Sequence, residues 1–111
     1  SNSVCVGFEG QAVGVGAGQQ SRIACTRLAC DKADRWFLKM HPKTLELSFP
    51  DAMPRAERVN VVDQFVRWDE LSPREREAVR AQAATLPDPI TRDEREAWLK
   101  RFEGIVCSSD A

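Results

Sequence analysis

"GVGAGQQSR", residues 14–22, sets three glycines at alternate positions and follows them with two amides, a hydroxyl and a guanidinium. Glycines let backbone N–H groups approach a ligand, and the N-terminus of a following helix favours an anion, so a phosphate cradle is physically reasonable. A P-loop, however, needs Gly-Lys-Ser/Thr after its last glycine, and here Gly18 is followed by Gln19 and Gln20. The dinucleotide fingerprint fails as well, because Gly14, Gly16 and Gly18 give G-x-G-x-G and not G-x-G-x-x-G. By pattern alone the stretch reads as a structural turn from a strand into a helix.

Upstream, Ser3 to Val6 and Gln11 to Val15 are short β-prone runs, and "GFEG" (7–10) between them supplies glycines for a tight reversal. This predicts a β-hairpin. Downstream, "SRIACTRLACDKADRWFLKMHP" (21–42) spaces Ala33, Trp36, Phe37 and Met40 three and four apart, which predicts a helix with one buried face that Pro42 closes. From Asp51 onward Arg, Glu and Asp become dense while the apolar residues recur at helical spacing. A helix is predicted from near Pro54 through Val59, Val62 and Val66. "SPRE" (72–75) combines a side-chain N-cap, Pro at the first helical position and Glu at the third, and "TRDE" (91–94) repeats the capping device. Leu86 to Pro89, with two prolines, is a connector. The last helix buries Trp98 and Phe102 and ends near Gly104, and "IVCSS" (105–109) is β-prone again. The order predicts an α/β fold: an α/β part at 1–50, a helical insert at 51–104, and a strand returning to the sheet at 105–111.

The chain has 111 residues, about one domain, and 42% apolar residues with five Phe and three Trp suffice for a modest core. Sixteen basic against seventeen acidic residues leave a net charge of -1, so no global field attracts nucleic acid or an anionic membrane. Nothing approaches the roughly 18 apolar residues of a membrane span, and "SNSVCVGFEG" has no signal-peptide pattern; both point to the cytosol. The chain opens without Met, directly in a strand-like pattern, and both ends read as cut from a longer protein. Cys5, Cys25, Cys30 and Cys107 form no C-x-x-C pair and His41 is the single histidine, so zinc is not expected and the cysteines read as small apolar side chains. Lys39 and His41 are separated by Met40 at a helix end, and His41 reads as structural or surface. On these features alone a non-enzymatic module, binding a protein through its charged helices, is an alternative to an enzyme.

"SNSVC" (1–5), "GQAVGVGAGQQSRIACTRLACDKA" (10–33) and "SSDA" (108–111) resemble the AICAR transformylase region of the bifunctional purine biosynthesis family that also carries IMP cyclohydrolase. The resemblance follows the chain in order and includes the "EAWLKRFEG" helix (96–104). It implies a cytidine-deaminase-like α/β/α domain with an inserted helical subdomain. It further implies transfer of the formyl group of 10-formyltetrahydrofolate to the amino group of AICAR, with no catalytic metal, in a homodimer. Carried over by motif, it assigns Asn2 and Arg22 to substrate binding, Ile23 to the folate cosubstrate, and Ser1, Ser3 and Asp110 to a structural potassium ion. An Asn amide both donates and accepts, and an Arg is a fixed fork of donors, as an oxygen-rich nucleotide requires. The resemblance assigns no catalytic residue to this stretch: the family's Lys-His pair lies in an earlier segment, and its substrate-binding Phe and folate-binding Asp follow "SSDA". The chain alone is therefore expected to be inactive.

Overall fold

A computed structural model describes residues 2–19, 22–102 and 106–110, with side chains described over 4–16 and 23–102. Three strands, β1 (Asn2–Phe8), β2 (Gln11–Gln19) and β3 (Val106–Asp110), and five helices, α1 (Arg22–Leu38), α2 (Pro42–Leu45), α3 (Arg55–Val66), α4 (Pro73–Gln82) and α5 (Arg92–Leu99), give a mixed α/β chain. It divides into two compact units, Ser1–Phe37 with Ala97–Ala111, and Leu38–Glu96.

The first unit is built on a three-stranded sheet of order β2-β1-β3, with both neighbours antiparallel to β1. The predicted hairpin is present, but its turn is tighter than "GFEG" suggested. Gly7 lies inside β1, and only Glu9 (φ 49°) and Gly10 (φ 80°) reverse the chain. Two consecutive positive φ values are what a two-residue type I′ turn requires, and its twist matches that of the flanking strands.

The larger correction concerns the glycines. They were expected in a turn, yet β2 runs through them to Gln19. Gly14 and Gly16 pair with Val6 and Val4 of β1, and all four are buried. A Cβ on Gly14 would run into the carbonyl oxygen of Ala29 and lie 2.7 Å from the Ala33 nitrogen; one on Gly16 would run into the carbonyl oxygen of Cys25 and lie 3.1 Å from the Ala29 nitrogen. The glycines therefore serve close strand–helix packing: α1 lies with its main chain directly on β2. On the helix side the matching stripe is Cys25, Ala29, Ala33 and Phe37, each four residues from the last and each nearly or wholly buried. Val4, Val6 and Val13 complete this core. Val13 reaches it through a register shift in the β1/β2 ladder, where Val6 opposes Gly14 and Gly7 opposes Ala12, so that Val13 is an extra residue on β2.

Met40, expected on the buried face of α1, is exposed, because the helix ends at Leu38 before its turn comes round. The core instead continues into a ring cluster. Phe37 stacks on Phe102 with centroids 4.2 Å apart, and meets Phe8 at 5.1 Å and Trp36 at 5.2 Å edge to face. Trp98, half-buried, donates its Nε1–H to the Phe37 carbonyl oxygen at 2.9 Å. Helix α5 stops at Leu99, short of the expected Gly104, which lies outside the described residues.

The second unit is helical. Pro42 opens a helix here and does not close one: with φ preset and no N–H to satisfy, it takes the first position of α2, and the His41 side chain caps that helix. The stripe of α3 is also shifted from expectation. Val61, Phe65 and Val66 are buried, while Val59 is 52% exposed and Val62 is half-buried, because α3 turns Val61 toward Trp68, Leu71 and Val79. Both predicted capping boxes form: Ser72 Oγ accepts from Glu75 N (3.2 Å) as Glu75 Oε1 accepts from Ser72 N (3.0 Å), and Thr91 and Glu94 repeat the exchange at 3.2 and 3.0 Å. The connector at Leu86 to Pro89 is non-helical, as read, and is preceded by an isolated bridge between Ser48 and Thr85.

Glu94 carries a second duty, accepting from Lys43 Nζ at 2.7 Å, while Lys43 also donates to the Pro89 carbonyl at 3.3 Å. The Lys43 ammonium, then the Thr91 backbone and hydroxyl, hold the Glu94 carboxyl at about 2, below the usual 4.5. An unfolded chain takes up this proton near its ordinary value and the folded one only near pH 2, so the contribution is complete above that ordinary value and lost as pH falls toward 2. Denaturant melts between pH 7 and about pH 2.5 are expected to show a shallower acid decline for Glu94→Gln than for the parent. Parallel declines would remove Glu94 from the acid response.

Candidate functional site

The residues singled out by the sequence lie where elements of the first unit end. Asn2 begins β1 and is the register partner of Gln19, the last residue of β2. Ser3 is the partner of Ala17 on one side and of Asp110, the last residue of β3, on the other. Antiparallel pairing thus gathers the start of β1 and the ends of β2 and β3 at one end of the sheet. Arg22 is the first residue of α1, three positions beyond Gln19, and Ile23 follows it. Ser1 lies outside the described residues, as do the side chains of Asn2, Ser3, Arg22 and Asp110. Ile23 is described and is 69% exposed, a large apolar side chain in the first turn of a helix whose buried stripe starts at Cys25.

Why the chain folds this way here follows from the seam. With Gly16 against Cys25 and Gly14 against Ala29 and Ala33, α1 lies on β2 with no room for a side chain between the two main chains, and its first turn begins three residues after β2 ends. The ladder also shifts register between Asn2 and Ser3: Ser3 faces Ala17 and Asn2 faces Gln19, leaving Gly18 as an extra residue on β2. A periodicity count gave no sign of it.

Residues 1–32 match the family model of the AICARFT/IMPCHase bienzyme. This supports the bifunctional AICAR transformylase/IMP cyclohydrolase family, an enzyme family of purine biosynthesis that joins a transferase to a hydrolase. The matched stretch contains β1, β2 and the first eleven residues of α1, and so includes Gly14, Gly16, Cys25 and Ala29 of the seam and Asn2, Ser3, Arg22 and Ile23; Ala33 and Asp110 lie beyond it.

Elsewhere several polar residues have partners within the structure. His41 is buried, and its Nδ1 accepts from Lys43 N at 3.0 Å, a bond open only to the unprotonated ring. Burial lowers its pKa, Glu94 opposes that shift and Lys43 adds to it. Arg58 donates to the carbonyls of Met53 (2.9 Å), Pro50 (3.0 Å) and Asp51 (3.1 Å), and Arg95 donates to that of Val66 at 2.6 Å, the end of α3. Asp63 pairs with both Lys39 and Arg67 at 3.3 Å. Arg76 and Arg80 lie over the Trp68 ring at 5.7 and 5.3 Å. Among the described residues, no group of three or more His, Cys, Asp or Glu is placed to hold a metal ion, and no helix is long and apolar enough to cross a membrane.

Proposed function

We propose that the chain is a segment of an AICAR formyltransferase, forming one wall of the site at which formyl passes from 10-formyltetrahydrofolate to the amino group of AICAR. The observation that carries this reading is the gathering of Asn2, Arg22 and Ile23 at one end of the sheet, within the stretch that matches the bienzyme family. Asn2 serves the carboxamide of AICAR, donating and accepting at once, and Arg22 offers its fork to the oxygens of the ribonucleotide. The exposed Ile23 gives the folate cosubstrate an apolar surface at the helix start. The chemical step needs a base at the attacking amine and a donor to the formyl oxygen. In this reading other segments of the complete protein supply both, and residues 1–111 bind and orient.

The fold that goes with the reading is a cytidine-deaminase-like α/β/α domain with the helical unit inserted, supported by the order hairpin, helix, helical excursion, returning strand. The complete protein also carries IMP cyclohydrolase activity and works in the cytosol as a homodimer. Ser1, Ser3 and Asp110 hold potassium. The register pairing of Ser3 with Asp110 supports this, since hydroxyl and carboxylate oxygens suit a hard cation.

The test is Arg22→Ala in a complete bienzyme carrying this segment. Loss of hydrogen bonds from a charged donor is expected to raise KM for AICAR about 10- to 100-fold while the melting temperature changes little. An unaltered KM would remove Arg22 from the site.

A further inference from the structure

We infer that His41 is a proton-controlled latch on the helical unit: its neutral ring holds the start of α2 closed, and protonation of the ring releases that end. The device lies wholly within Leu38–Glu96 and is independent of the formyl-transfer reading. Its basis is the number of bonds in which His41 is held. His41 N donates to the Leu38 carbonyl and the His41 carbonyl accepts from Leu45 N, each at 3.1 Å, so the backbone on both sides of the side chain is tied down. The ring is buried, and its Nδ1 accepts from Lys43 N at 3.0 Å. The Thr44 hydroxyl, also buried, donates to the same Leu38 carbonyl at 2.8 Å. Lys43, whose N–H the ring holds, is also the residue whose ammonium reaches the Glu94 carboxylate and the Pro89 carbonyl, near the last residues of the unit. The cap on Lys43 thus steadies a tie between the beginning and the end of the helical excursion.

A neutral imidazole has one acceptor nitrogen and an imidazolium has none, because both nitrogens then carry hydrogen. A proton on Nδ1 sets two N–H groups against each other, leaves the Lys43 donor without its acceptor and puts a cation in a buried place. Two charged groups act on the ring. Glu94 of α5 favours the cation and Lys43 of α2 opposes it, while Glu94 Oε1 is already taken by Lys43 Nζ and Thr91 N. Burial outweighs the attraction of Glu94, so the proton binds the released ring more tightly than the capped one. The preference for the capped form is complete above the ordinary 6.5 and is lost as pH falls through the lowered value of the folded ring. His41 is the single histidine of the chain, and the Glu94 contribution is complete above 4.5, so a response between about pH 7 and about pH 5 belongs to His41.

The experiment follows hydrogen exchange at the Lys43 amide of the full chain at about pH 7 and about pH 5, corrected for the intrinsic exchange rate, in the parent, His41→Asn and His41→Ala. Asn is a strong N-cap residue that does not titrate, so it keeps an acceptor and removes the proton. The parent is expected to lose protection at the Lys43 amide about three- to tenfold at the lower pH, the worth of an N-cap side chain, while His41→Asn is equally protected at both and His41→Ala equally unprotected at both. Unchanged protection in the parent overturns the latch. A fall of the same size in His41→Asn overturns it too, by assigning the acid response to another group. Where His41→Asn does not fold, an NMR titration of the parent ring decides: a value below 6.5 alongside the loss of Lys43 protection supports the latch, and a value at or above 6.5 overturns it.

Discussion

Gly16→Ala is expected to destabilise the first unit by about 3 kcal/mol or more, the upper end of what overpacking costs, although the change adds one methyl group. The methyl carbon would meet the Cys25 carbonyl oxygen, with the Cys25 carbonyl carbon at 3.0 Å and the Ala29 nitrogen at 3.1 Å. All three are helix main chain. A flexible side chain could swing aside at small cost, but here α1 must lift from β2 and open the packing of Ala29 and Ala33 behind it. Gly14→Ala should behave alike. Val15, between them in sequence and 44% exposed on the other face, is the control: Val15→Ala should stay within about 0.5 kcal/mol of the parent. Urea melts followed by tryptophan fluorescence read this directly, since Trp36 and Trp98 both belong to the first unit. Equal midpoints for Gly16→Ala and Val15→Ala would mean that the helix does not lie on the glycines.

Phe37→Ala should cost about 3–5 kcal/mol, the usual range for deleting a fully buried ring. Phe37 is the meeting point of three other rings, from β1 (Phe8), from α1 itself (Trp36) and from the chain after α5 (Phe102), so its removal leaves a cavity that no single neighbour can fill. Phe37→Leu, which keeps most of the volume and loses only the ring geometry, is expected to recover more than half of that loss. Denaturant midpoints of the two variants check the pair. Equal losses in both would show the geometry of the rings, not the filled volume, to be what matters.

Local rules were legible in the sequence wherever the deciding atoms are close in the chain. The boxes at Ser72 and Thr91 each need one side chain three residues from its partner, and both formed as read. The glycines of β2 misled because their reason lies elsewhere: glycine is read as a turn former, and only the stripe of Cys25, Ala29 and Ala33, brought over the strand by the fold, makes it a packing residue. In α3, valines at 59, 61, 62 and 66 fit two helical phases equally, and the position of Trp68 and Leu71 decides between them. Pro42 is compatible with the end of one helix and the start of the next, and His41 as a cap settles the matter. As for the candidate site, motif resemblance named its residues, but the pairing of Asn2 with Gln19 and of Ser3 with Asp110 depends on register, which spacing along the chain does not encode.

The stacked rings of Phe37 and Phe102, with the Trp98 indole bonded to the Phe37 carbonyl, also fix where the chain departs from the first unit and where it re-enters. Everything between Leu38 and Glu96 is thereby a closed loop in the polymer sense, its two ends held at a single junction. The entropy of closing such a loop grows only as the logarithm of its length, about 0.6 kcal/mol for each doubling. For the sheet and its helix, the presence of the excursion is thus almost indifferent to its size, and lineages could lengthen, shorten or redecorate it while the strand ends carrying Asn2 and Asp110 keep their places.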